Sequence, residues 1–168
     1  MANHAGKDID VAVFGSTGFT GRLVAEYLAK TYPAGSGVTW AMAGRNPEKL
    51  ASVRDEIGAP ADTILLVADS ADKASLEAVA ARSKVILTTV GPYQVYGNEL
   101  VEVCAETGTD YVDLCGEPAW MWQVIDRHAE KAAETGARLV LSCGFDSVPF
   151  DMGVFFLQEE AKKRFGNP

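Results

Sequence analysis

The stretch Val11-Ala12-Val13-Phe14-Gly15-Ser16-Thr17-Gly18-Phe19-Thr20-Gly21-Arg22 decides how this chain is read. A short apolar run ends in three glycines spaced three apart and then takes on helical periodicity, the pattern of a strand, a phosphate loop and a helix. In that reading Gly15 allows the tight turn out of the strand, Gly18 lets the backbone approach a diphosphate, and Gly21 lets the helix pack closely on the sheet. The helix N-terminus then faces an anion with free N–H groups and the positive end of its dipole. Gly15, Ser16, Thr17, Gly18, Phe19 and Thr20 are the expected diphosphate-holding residues. The spacing is G-x-x-G-x-x-G and not G-x-G-x-x-G, so an ordinary Gly-rich turn without a ligand stays open until the surrounding chain is read.

Outward from the loop, apolar runs and helical stripes alternate. Ile9 to Phe14 is nearly all apolar, as a strand covered on both faces requires. Phe19 to Lys30 carries Leu23, Val24, Tyr27 and Leu28 at helical spacing, and the Tyr32 to Gly37 segment punctuates its end. Val38 to Ala43 gives a second strand, and Asn46-Pro47 reads as a cap followed by proline at the first helical position. Thr63 to Ala68, Val85 to Val90, Tyr111 to Leu114 and Leu139 to Ser142 are four further strands, each separated from the next by a helical stretch. This βα alternation implies an α/β Rossmann domain, a doubly wound and mostly parallel sheet in the order 3-2-1-4-5-6. The dinucleotide-binding domain is expected over residues 1–148. The dense apolar set Phe150, Met152, Val154, Phe155, Phe156 and Leu157 places the start of a second domain in residues 149–168. In this chain alone that set is expected to be buried by self-association into a homo-oligomer or against its own sheet.

Composition narrows the partners. The 168 residues are 48% hydrophobic and 23% charged, ordinary for one well-packed globular domain. A net charge of -8 and a pI near 4.7 oppose a nucleic-acid or anionic-membrane surface, so an anionic ligand must be held by a local site. With no basic-then-apolar leader and no apolar run of membrane-spanning length, a cytoplasmic protein is expected. Met1 to Lys7 reads as a loose start. Cys104, Cys115 and Cys143 are odd in number and lack C-x-x-C spacing, which disfavours a disulfide framework or a zinc site.

Ligands of open α/β sheets bind beyond the carboxyl ends of the strands. Gly91, Pro92 and Tyr93 follow the fourth strand there, and Tyr93 and Tyr96 either line a nicotinamide pocket or pack their rings at a loop. Asp69 either accepts from an adenine amino group or caps the helix that follows it. Glu117 is a candidate acid, base or substrate contact, or a carboxylate held by a helix dipole. Cys115 and Cys143 also reach the rim, where a free cysteine usually behaves as a small hydrophobe. His128 lies far from it. The second strand ends Ala43-Gly44-Arg45 with no carboxylate until Glu48. An NAD-selective domain places an Asp or Glu at that point, whereas an arginine accepts a 2′-phosphate, so Arg45 predicts NADP(H) over NAD(H).

Five ordered motifs then carry a resemblance over nearly the whole chain. Phe14-Gly-Ser-Thr-Gly-Phe-Thr-Gly-Arg22, Ala43-Gly-Arg45, Thr88-Thr-Val-Gly-Pro-Tyr93, Asp110-Tyr-Val-Asp-Leu-Cys-Gly-Glu117 and Gly144-Phe-Asp-Ser-Val-Pro149 resemble the saccharopine dehydrogenase-like family. The resemblance is nearest to its trans-acting enoyl reductase branch, which serves lipid and polyketide assembly. It implies the cofactor domain of an NADP-dependent oxidoreductase that moves hydride to an enoyl intermediate. The substrate would be a small molecule or a carrier-bound acyl group. Members of this family carry a further substrate-binding domain, so this cofactor domain alone is expected to be inactive. Short-chain dehydrogenases share a Thr-Gly-x-x-Gly loop but use Tyr-x-x-x-Lys, and no tyrosine here has lysine at that spacing. A dinucleotide-binding sensor or scaffold without turnover, and a saccharopine-type amino-acid dehydrogenase, are the alternative functions.

Overall fold

The computed structural model describes residues 4–33 and 35–166. Six strands form one parallel sheet: β1 (Ile9–Phe14), β2 (Trp40–Gly44), β3 (Ile64–Val67), β4 (Ser83–Thr88), β5 (Asp110–Asp113) and β6 (Leu139–Val140). Their order is β3-β2-β1-β4-β5-β6, the predicted doubly wound arrangement, and every neighbouring pair is parallel. Among the described residues seven helices accompany them: α1 (Phe19–Thr31), α2 (Pro47–Glu56), α3 (Lys73–Arg82), the short α4 (Tyr93–Tyr96), α5 (Asn98–Thr107), α6 (Pro118–Thr135) and α7 (Val148–Phe165).

Alternate residues of each strand face opposite sides of a sheet, so β1 feeds two cores. Ala12 and Phe14 join Ile86 and Tyr111 beneath Leu76 and Val79 of α3, Leu100, Val101 and Cys104 of α5, and Trp120 and Val124 of α6. Val13 and Met42 lie on the other side, beneath Ala25 and Leu28 of α1 and Leu50 and Val53 of α2. Full burial of side chains such as Ile86 and Leu100 stabilises the sheet by about 1.5–3 kcal/mol each. Several strand ends shift from the sequence reading because backbone pairing sets them. β2 begins at Trp40 opposite Val11, and β4 leaves α3 directly at Ser83, opposite Ile9.

The described part of the N-terminal segment is anchored, against the expectation of a loose start. Lys7 Nζ donates to Thr109 Oγ1 at 2.6 Å, and His4 Nε2 lies 3.3 Å from the Asp110 carboxylate, which also receives Arg138. Met1 to Asn3 lie outside the described residues. At the other end, α7 is helical but buries none of its residues, so the apolar set on it is not packed on the sheet. Among the described residues no helix is long and apolar enough to cross a membrane.

Candidate functional site

The three loop glycines do different work. Gly15 has φ +88°, and a Cβ there would also sit 2.6 Å from a Val90 methyl carbon. Gly21 permits the closest approach: a Cβ would lie 2.2 Å from the Gly15 carbonyl oxygen and 2.8 Å from Thr89 Oγ1. At Gly18 a Cβ would meet only the Gly15 carbonyl, at 3.3 Å, so a side chain added there points chiefly into open space. Gly18 is the N-cap of α1, and no side chain caps that helix. The first-turn N–H groups of Phe19, Thr20 and Gly21 therefore have no intrahelical acceptor and face the loop mouth.

This loop opens onto a cavity of about 360 Å³, within the usual range for small-molecule and cofactor sites. Phe14, Gly15, Thr17 and Gly18 form one wall. Gly44, Arg45 and Lys49 come from the β2–α2 connection and the first turn of α2, and Ser70 follows β3. Thr89, Val90 and Gly91, which follow β4, and Tyr96 of α4 complete it. A dinucleotide fits these residues on structural grounds: an uncapped helix end and a glycine loop for a diphosphate, and a wall with two cations and no carboxylate.

The remaining sequence-predicted residues divide. Ser16 is buried, and both its N–H and its hydroxyl donate to the Ala43 carbonyl at 3.2 Å, tying the loop to β2. The Phe19 side chain is exposed and lines no part of this cavity, while Thr20 turns to a second cavity of about 450 Å³ with Val24, Leu87, Val112, Leu114 and Phe145. Asp69 accepts the Ala71 N–H at 3.0 Å, and Asp72, not Asp69, occupies the N-cap position of α3. Gly91 lines the cavity at the glycine loop; the peptide linking it to Pro92 is cis.

Tyr93 is only 5% exposed, its ring tilted against Trp120 and its hydroxyl donating to the Thr88 carbonyl at 3.2 Å. Burial pushes its phenol well above the ordinary range, so Tyr93 is a structural donor, and Tyr96 is the tyrosine on the cavity wall. Burial likewise raises the Cys115 and Cys143 thiols, which leaves neither a poised thiolate. Glu117 accepts the N–H groups of Tyr93 and Gln94 at 2.7 and 3.0 Å, so its carboxylate caps α4 rather than facing the cavity. Sequence reasoning missed Lys49, Thr89 and Val90. A lysine three residues past an Asn cap that closely follows the second strand was the available signal for the first.

Comparison with known proteins shows what this chain is similar to. The family described as the saccharopine dehydrogenase NADP binding domain matches residues 11–140. A trans-acting enoyl reductase of Mycobacterium leprae is 49% identical over 152 residues, and one of Mycobacterium tuberculosis (strain ATCC 25618 / H37Rv) is 48% identical over 154. Those alignments take in 90% and 91% of this chain but 36% of each relative, so the chain spans a little over a third of their length. Among solved structures, saccharopine dehydrogenase (L-Glu forming) from Saccharomyces cerevisiae superposes with a TM-score of 0.72 at 17% identity, over 92% of this chain and 32% of that one. At that identity the match bears on the fold.

Proposed function

Because this chain belongs to the saccharopine dehydrogenase NADP-binding domain family, we propose that it is the cofactor-holding part of an NADP(H)-dependent enoyl reductase. The observation that carries the reading is the composition of the cavity wall: Arg45 where β2 ends, and no carboxylate among the described residues that line it. A ribose 2′-hydroxyl would call for an acceptor there, whereas a 2′-phosphate calls for a cation.

When bound, NADPH supplies the hydride. Gly15, Thr17 and Gly18, with the first-turn N–H groups of α1, hold the diphosphate, and the helix dipole favours its charge. Arg45 holds the 2′-phosphate through its planar fork of donors. Val90, Gly91 and Tyr96 bound the cavity beyond β4 and would flank a dinucleotide held there. The apolar cavity beside Thr20 and Val24 supports an acyl substrate over a strongly polar one. A second domain beginning in residues 149–168 would close over the reacting carbon. Its support is α7, which leaves Phe150, Phe155, Phe156 and Leu157 exposed.

The test uses the full-length protein with an enoyl thioester and NADPH, following loss of nicotinamide absorbance. Turnover with NADPH that is much weaker with NADH supports the reading. Tight dinucleotide binding without turnover of any enoyl or amino-acid substrate would favour a sensor instead.

A further inference from the structure

Arg45 is not the only cation on the cavity wall. Lys49 stands in the first turn of α2 and lines the same cavity, together with Ser70 from the loop after β3. In a chain of net charge -8, most lysines and arginines stand in ion pairs, such as Lys73 with Glu102, Lys84 with Asp10 and Arg22 with Glu56. Arg45 and Lys49 do not: among the described residues no carboxylate lies within ion-pairing distance of either.

The start of α2 adds a second reason to assign a role to this side chain. Asn46 Oδ1 accepts the Lys49 N–H at 2.8 Å, so that backbone donor is already taken. Anion binding at this point therefore falls to side chains more than to the helix terminus. A phosphate monoester carries about -1.5 to -2 charge at neutral pH, more than one guanidinium balances.

We infer that Lys49 is a second specificity-determining residue, its ammonium acting with the Arg45 guanidinium on the 2′-phosphate of NADP(H). The inference rests on the proposed function, since it takes the cavity as the dinucleotide site. The two cations are not equivalent. Arg45 supplies planar, paired donors that fix the orientation of the phosphate, and Lys49 supplies a mobile point charge that completes neutralisation. Salt should weaken the contribution of Lys49, because both groups are exposed.

Calorimetric titration of this chain with NADPH and with NADH separates the outcomes, with wild type, Lys49→Met and Lys49→Arg compared at low and at physiological salt. Lys49→Met should lose about tenfold in NADPH affinity, less in high salt, with NADH unchanged and Lys49→Arg largely restored. An unaltered NADPH preference in Lys49→Met overturns the inference while leaving the proposed function standing. Equal losses for both dinucleotides, or a lower melting temperature that accounts for the loss, mark Lys49 as structural and also overturn it. A wild type that binds neither dinucleotide, or that prefers NADH, removes the proposed function and this inference together.

Discussion

Glu117 lies at the N-cap position of α6, yet its carboxylate accepts the backbone N–H of Tyr93, 2.7 Å away at the start of α4. The other carboxylate oxygen takes the Gln94 N–H at 3.0 Å, so one side chain caps a helix that no local residue caps. Trp120 extends the tie, its indole N–H donating to Asn98 Oδ1 at 2.9 Å while its ring rests on Tyr93. Through these contacts the loop after β5 fixes the segment from Gly91 to Tyr96, which forms part of the cavity wall.

Glu117→Ala should therefore cost about 1–3 kcal/mol of stability, because two N–H groups lose a charged acceptor. NADPH binding should weaken with it as Tyr96 and Gly91 become less ordered. Glu117→Gln keeps one amide oxygen and should fall between. Thermal melts and dinucleotide titrations check this; an Ala variant that melts and binds like wild type would show that the cap is not needed.

The sheet order was readable because each parallel βα unit leaves its mark locally, as an apolar run followed by a helical stripe and a turn. That Gly15, Thr17, Gly18 and Arg45 gather at one cavity was readable for the same reason, since each closely follows the end of its own strand, whereas the outward turn of Phe19 and the turn of Thr20 to the second cavity were not. The role of Glu117 was not, because its partners lie more than twenty residues earlier and reach it only through the fold. Tyr93 reads in sequence as a rim tyrosine; its burial against Trp120 depends on α6, a later element. Lys49 reads as one more polar residue on an exposed helix until β3 brings Ser70 to the other side of the cavity.

Gly18 and Gly21 should respond in opposite ways. Gly21→Ala places a Cβ 2.2 Å from a backbone carbonyl oxygen that cannot rotate away, so α1 must shift, at a cost of about 1–3 kcal/mol. At Gly18 a Cβ meets protein only at 3.3 Å, so Gly18→Val should add its bulk at the loop mouth and leave the fold in place while dinucleotide binding is lost. Circular dichroism with cofactor titration on both variants checks the contrast. A folded Gly18→Val that binds as wild type would falsify the loop assignment.

Asp10 of β1 ties β4 and the residue preceding β2 together and should make stability acid-sensitive. Lys84 Nζ donates to its carboxylate at 2.6 Å and the Thr39 N–H at 2.7 Å, and these bonds, the Lys84 one foremost, hold its pKa below the ordinary carboxylate value. A depressed folded-state pKa means the contribution is complete above the unfolded value, near 3.9, and is lost as pH falls through the folded one. Asp10→Asn should cost about 1 kcal/mol at neutral pH, given partial solvation, and should differ little from wild type in strong acid. Chemical denaturation across the acid range measures it; a constant difference at all pH values would remove Asp10 from the account.

Arg45 gives the sharpest test of cofactor choice. β2 ends at Gly44, where a Cβ would come within 3.8 Å of Thr17, so the strand end and the phosphate loop are in near contact and Arg45 follows immediately beside the cavity. No carboxylate lines that cavity, and Glu48, the nearest acid after Arg45, is not part of its wall. The guanidinium can form charge-assisted hydrogen bonds to phosphate oxygens, and at a solvated site their net contribution is taken as that of one bond to a charged group, about 1.5–3 kcal/mol, whereas NADH presents only a hydroxyl at that point. Arg45→Ala should therefore weaken NADPH by roughly tenfold to a hundredfold and hardly change NADH. Calorimetric titration of both dinucleotides against wild type and variant decides it. Equal losses for the two would mean that Arg45 supports the loop and not the phosphate, and a wild type that prefers NADH would overturn the assignment outright.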